Sequence, residues 1–172
     1  KEKHKFKSNT DTEVVLKAFI EWGESCLDKF NGMFAFVIYD RLEKTLFGAR
    51  DRFGIKPFYY QYNYKHFIFA SDIPPILTNP NVIAIPNEEI IFTYLLTNRT
   101  NYSEQTFFSN IIKLKPGHKL KLNKTDLLIE QWYNIEDHIN KKGFITESEY
   151  YNTFKEAISL QLRSDVPVGI CL

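Results

Sequence analysis

The sequence is poor in the residues that mark several protein classes. It has only two cysteines, Cys26 and Cys171, and no Cys-x-x-Cys pair. That excludes a disulfide framework and a cysteine-based zinc site, and it fits a reducing, cytoplasmic setting. The four histidines, His4, His66, His118 and His138, are scattered with no metal-ligand spacing. No Gly-rich phosphate loop occurs. No apolar run approaches the roughly 20 residues of a membrane helix, and Lys1-Glu2-Lys3-His4-Lys5 does not lead into the apolar stretch of a signal peptide. The net charge is only +1 over 172 residues, so a clustered excess of Lys and Arg for nucleic acid is missing. Sequons at Asn98, Asn101 and Asn123 carry little weight without a secretion signal.

Aromatic residues are plentiful, at 16% of the chain, and they favour strands. Thr10-Asp11-Thr12-Glu13 has the spacing of a capping box. Val14, Val15, Ala18, Phe19 and Trp22 then recur at helical period, and Gly23 is placed to end that helix. A short helix over 24–30 carries Cys26 on its apolar side, which reads as a buried inert thiol. The run 33–39 is nearly all apolar, as in a strand covered on both faces. Residues 45–50 form its hairpin partner. A tight polar connection follows over 51–57, with Arg50-Asp51 as a charge pair pinning the turn and Gly54 supplying unusual dihedrals.

A second hairpin joins 58–61 to 66–70. A brief helical turn over 73–77 includes Pro74 and Pro75. Asn87 caps a helix to Leu96, with Glu88 and Glu89 in its first turn. Short strands follow at 111–114, 118–122 and 127–129, the middle one alternating polar and apolar. The polar stretch around 138–145 is the expected linker. Thr146-Glu147-Ser148-Glu149 repeats the capping-box spacing and starts a helix with Tyr151, Phe154, Ile158 and Leu162 on one face. Val168 to Leu172 reads as a buried strand.

Several segments carry a resemblance. Thr10-Asp11-Thr12-Glu13-Val14, Asn31-Gly32-Met33-Phe34-Ala35-Phe36, Arg50-Asp51-Arg52-Phe53-Gly54-Ile55-Lys56-Pro57-Phe58-Tyr59, Ala70-Ser71-Asp72 and Lys115-Pro116-Gly117-His118 stand in the order and spacing of class II glutamine amidotransferases. Ser164-Asp165-Val166-Pro167-Val168-Gly169 is similar to the entry into the synthetase domain of the asparagine synthetase family.

The resemblance implies an α+β fold: an N-terminal-nucleophile αββα glutaminase domain, incomplete, over 1–137. The linker over 138–145 would follow, then the first helix and strand of an α/β PP-loop synthetase domain over 146–172. The implied reaction has two halves. Glutamine is hydrolysed through a thioester on an N-terminal Cys, and the released ammonia meets aspartate activated as an acyl-adenylate, with ATP and Mg²⁺ serving that second half. A low-pKa thiolate suits the first step, and a Ser-Gly-Gly loop at a helix N-terminus the second. The nucleophile is expected before Lys1 and the loop after Leu172, so the chain alone is expected to be inactive and to bind no cofactor.

By the same resemblance Asp11 contacts the α-amino group of glutamine, Thr10 sits at the pocket edge, and the backbone of Leu172 lies near the adenine of ATP. The turn at Arg50-Asp51 is implied to be structural. The partners implied are small molecules (glutamine, aspartate and ATP), with a homodimer allowed and neither nucleic acid nor membrane. Other acceptors, as in sugar amidotransferases of surface-polysaccharide pathways or β-lactam synthetases, and a non-catalytic binding module, are the competing readings.

Overall fold

A computed structural model describes residues 4–100, 102–124, 126–139, 143, 146–162 and 166–169. The chain divides into two compact units, Lys1–Asn134 and Ile135–Leu172. The first unit is mixed α/β with antiparallel sheets. Its elements are α1 (Asp11–Trp22), a 3-10 turn (Gly23–Ser25), α2 (Cys26–Lys29), β1 (Ala35–Asp40), β2 (Thr45–Arg50), β3 (Tyr59–Asn63), β4 (His66–Ala70), α3 (Ile73–Leu77), α4 (Glu88–Thr97), β5 (Ile112–Lys113), β6 (His118–Asn123) and β7 (Asp126–Gln131). One sheet runs β1-β2-β6-β7 and the other β4-β3-β5.

The period-2 alternation of β2 sets the layers. Phe47 and Ala49 face α1 and α2, where they bury Ala18, Cys26 and Leu27. Leu46 points the opposite way, into the interface between the two sheets with Phe58, Tyr60, Leu114 and Leu120. The far face of the second sheet, with Tyr59, Ile68 and Ala70, packs on α3 through Ile76. The order is therefore helix, sheet, sheet, helix. Burying one apolar face of each element against the next is what a two-sheet core requires. At Gly48 a Cβ would stand 3.1 Å from Leu120 Cγ, so the bare glycine leaves room for the side chain of its cross-strand neighbour on β6.

Local chemistry explains most element ends. Gly23 takes φ 57° and its N–H donates to Phe19 O, closing α1. Asp72 caps α3 by accepting from Ile73 N at 2.7 Å. The prolines stand in the first turn, where their missing N–H groups cost nothing. Asn87 accepts from Ile90 N to cap α4, and left-handed Asn98 ends it.

Three expectations need correction. Thr10 does not cap α1 with its side chain. Its hydroxyl instead bonds Ser8 Oγ. Glu13 does reach back, but past Thr10, to the N–H groups of Lys7 and Ser8 and the Ser8 hydroxyl. Because Ser8 holds both partners, the strap reaches back two to three residues beyond the N-cap that a capping box would use. Next, β1 is not covered on both faces: none of its residues is fully buried. Among the described residues it pairs with β2 alone, and a continuous apolar run does not distinguish the two settings.

Last, Arg50 and Asp51 do not pin their turn simply as a charge pair. Both work through backbone groups, as described below. In the second unit, a 3-10 turn (Ile135–His138) precedes α5 (Glu147–Gln161). Thr146 Oγ1 accepts from Glu149 N at 3.1 Å, so this second Thr does cap. The apolar side of α5 is exposed, Tyr151 and Phe154 included. Val168 and Gly169 are irregular. The remainder of the expected strand, with Cys171 and Leu172, lies outside the described residues.

Candidate functional site

A cavity of about 550 Å³ opens in the first unit between α1 and β1. Its α1 wall is Asp11, Thr12, Val15 and Leu16. Its floor is the segment from Met33 to Tyr39, and Lys56, Pro57 and Ser71 close the far side. Asp11 is exposed in the first helical turn, where the helix dipole favours a carboxylate. The cavity therefore holds one carboxylate, one ammonium and hydroxyls over an apolar floor. That mixture suits a small zwitterion with an aliphatic body. Thr10 does not line it; the hydroxyl on the α1 wall belongs to Thr12.

The far wall is held by a buried carboxylate. Asp51 is 1% exposed. Its carboxylate accepts from the N–H groups of Phe34 at 3.3 Å, Phe53 at 3.1 Å, Ile55 at 3.0 Å and Lys56 at 2.9 Å. Its own N–H donates to Phe34 O, and its carbonyl accepts from Gly54 N and Gly117 N. One residue thus joins the start of β1 to the turn that carries Lys56. Buried carboxylates survive where amides satisfy them in this way.

Arg50 complements it by donating to Lys56 O at 2.7 Å, Gly54 O at 2.7 Å and Leu114 O at 2.6 Å. Burial lowers the Arg50 pKa from its usual value, against the opposing pull of Asp51. Gly54 has φ 65°, and a Cβ there would lie 2.8 Å from Pro116 Cγ. A side chain would meet both a left-handed backbone and a rigid ring. The turn therefore serves the site by shaping its wall. The spacing of Arg50, Asp51 and Gly54 signals a turn, yet which amides the carboxylate collects depends on contacts with β1.

Cys26 is fully buried under β2. Burial pushes its thiol up to about 11, so it is a packing group with no thiolate character. Among the described residues, no group of His, Cys, Asp and Glu could hold a metal ion, and no helix is long and apolar enough to cross a membrane. Leu172 lies outside the described residues, so no adenine contact can be placed.

The geometry is thus a layered pair of antiparallel sheets between helices, with an Asp-bearing cavity beside β1. The chain belongs to the glutamine amidotransferase domain family, whose sequence model matches residues 1–133. It is 36% identical over 166 residues to asparagine synthetase [glutamine-hydrolyzing] 3 of Bacillus subtilis (strain 168), covering 96% of this chain and 27% of that protein. It is 33% identical over 172 residues to putative asparagine synthetase [glutamine-hydrolyzing] 2 of Methanocaldococcus jannaschii, covering 96% and 33%. It is also 29% identical over 174 residues to amidase chry2 of Gibberella zeae, covering 98% and 25%. The chain spans between a quarter and a third of the length of these relatives.

Proposed function

We propose that this chain forms part of an ATP-dependent amidotransferase that hydrolyses glutamine and delivers the ammonia to an activated carboxylate, with aspartate as acceptor and asparagine as product. In this reading residues 1–137 belong to an N-terminal-nucleophile glutaminase domain, 138–145 link it onward, and 146–172 open a synthetase domain. The observation that supports it is that Asp11 stands in the wall of a cavity of about 550 Å³, roomy enough to admit an amino acid. There its carboxylate receives the α-amino group of glutamine through a charge-assisted hydrogen bond. The apolar segment of β1 lies under the aliphatic body. The turn held by Asp51 keeps that wall in place before the ligand arrives, so less ordering is needed on binding.

The acceptor half of the reading rests on the likeness to relatives named asparagine synthetases. Their names also supply glutamine as the nitrogen source. No described residue is assigned to ATP or Mg²⁺. The proposed setting is cytoplasmic, in keeping with the low cysteine content.

The experiment is a comparison of nitrogen sources in an enzyme carrying this chain. Asp11→Asn raises the KM for glutamine about tenfold to a hundredfold, the worth of a hydrogen bond to a charged group. Synthesis from free ammonia stays unchanged. Equal loss with both nitrogen sources would remove Asp11 from glutamine binding.

A further inference from the structure

The turn after β2 contributes to a second cavity, of about 660 Å³, that shares no lining residue with the one beside Asp11. Lys56 and Pro57 of the turn line the Asp11 cavity, whereas Arg50 and Gly54 line this one. The strands place the other groups. Tyr59 and Lys113 are cross-strand partners of β3 and β5, so their side chains share a face of the sheet. The N–H of Lys113 donates to Glu104 O at 2.8 Å, which draws the segment with Ser103 and Glu104 against β5. Lys115, two residues on, pairs with the Glu104 carboxylate at 3.4 Å.

The lining is unbalanced in charge. Among the described residues it carries three permanent cations, Arg50, Lys113 and Lys115, and one carboxylate, Glu104. That is an excess of two positive charges before any protonation of His118. Arg50 is fixed in place by the carbonyls of Lys56, Gly54 and Leu114. Carbonyls orient a guanidinium without cancelling its charge, and three such bonds leave two of its five N–H donors. Burial lowers the Lys113 pKa, and the charge of Arg50 adds to that lowering while Glu104 opposes it. Two cations are thus held near enough to disfavour one another in a half-buried recess, and an anion between them relieves both costs.

The kind of anion follows from charge and shape. A carboxylate brings one negative charge and two oxygens in a plane. A phosphate group brings close to two charges at neutral pH and three acceptor oxygens arranged as a tetrahedral face. Cations distributed around a recess, with the hydroxyl-bearing Tyr59 and Ser103 between them, suit the second form. Arg and Lys are also the side chains that recognise phosphate. The volume exceeds that of phosphate alone and falls in the range of small-molecule sites.

We propose that this cavity is a second ligand site, which takes a small phosphorylated anion between Arg50 and Lys113. The site does not depend on the role given to Asp11, because the two cavities have separate linings.

Titration of the chain with inorganic phosphate, and separately with inorganic pyrophosphate, tests the proposal at constant ionic strength, read from the backbone amide resonances. At least one of the two binds with a dissociation constant below about 1 mM. It shifts Ser103, Lys113 and His118 and leaves residues 11–16 in place. Lys113→Gln weakens that binding at least about tenfold, the worth of a hydrogen bond between charged groups. Glu104→Gln strengthens it at least about twofold, because the lining loses its carboxylate. Opposite signs from two neutralising changes separate a site from a general loss of structure.

Affinities weaker than about 1 mM for both anions would overturn the proposal. Smaller responses to the two variants, or responses of one sign, would mean an adventitious ion only and overturn it as well. Succinate binding as tightly as the phosphates would make this a carboxylate site. In a longer enzyme that carries this chain, binding that Lys113→Gln no longer weakens would assign the recess to an acidic segment of that enzyme. Either result would also overturn the proposal.

Discussion

The first turn of α1 and the turn after β2 border the same cavity, and they are held in different ways. The turn after β2 is built around buried Asp51, whose carboxylate takes four backbone amides, and around Arg50, which takes three carbonyls. The first turn of α1 is exposed. It is held by a surface strap from Glu13 to Lys7 and Ser8, and the Asp11 carboxylate stays exposed. Two aspartates near one cavity thus stand in different states. Asp51, behind the far wall, spends its acceptor capacity on the fold, and Asp11, on the α1 wall, keeps its carboxylate exposed. A buried carboxylate surrounded by amides has nothing left to give a substrate, whereas one at an open helix start does.

The contrast can be broken first at its stronger side. Asp51→Ala removes the shared acceptor of four amides in a site 1% exposed, and unfolding by denaturant is expected to show a loss of about 3 kcal/mol or more. A loss below about 1 kcal/mol, the range of an ordinary surface substitution, would mean that the turn is held by other contacts.

The weaker side gives the smallest effect. Glu13 has its pKa lowered, first by the Ser8 hydroxyl and then by the backbone N–H of Lys7. A folded pKa below the unfolded value means that the strap stabilises above about pH 4.5 and that this contribution is lost as the pH falls through the folded pKa. Glu13→Gln should therefore melt slightly below the wild type at neutral pH and level with it in acid. A gap that widened on acidification would reverse the sign and contradict the strap.

The same contrast shows what the residues disclose. The hairpins of β2, β3 and β4 and the capped start of α4 are legible because they depend on local spacing: alternation, turn residues and an Asn before an acidic pair. The division between Asp11 and Asp51 is only half legible. Asp11 is visible as a carboxylate at a helix start. Asp51 reads as half of an ion pair, because its amide partners come from residue 34 as well as from 53 to 56 and meet only when β1 lies beside the turn. The partial exposure of β1 was hidden for a related reason. A run such as Met33-Phe34-Ala35-Phe36-Val37-Ile38-Tyr39 is equally apolar beside a cavity and inside a sheet. The displaced strap of α1 shows that a capping-box spacing proposes partners without choosing among nearby hydroxyls.

The central claim is that glutamine binds between Asp11 and β1. Titrating the chain with glutamine while following its backbone amide resonances tests this most directly. The account predicts shifts at residues 11–16 and 33–39 in the wild type, and their loss in Asp11→Asn with the Asp51 turn undisturbed. Shifts that persist in the variant, or that fall on the separate cavity lined by Tyr102, Glu104, Lys113 and Lys115, would contradict it.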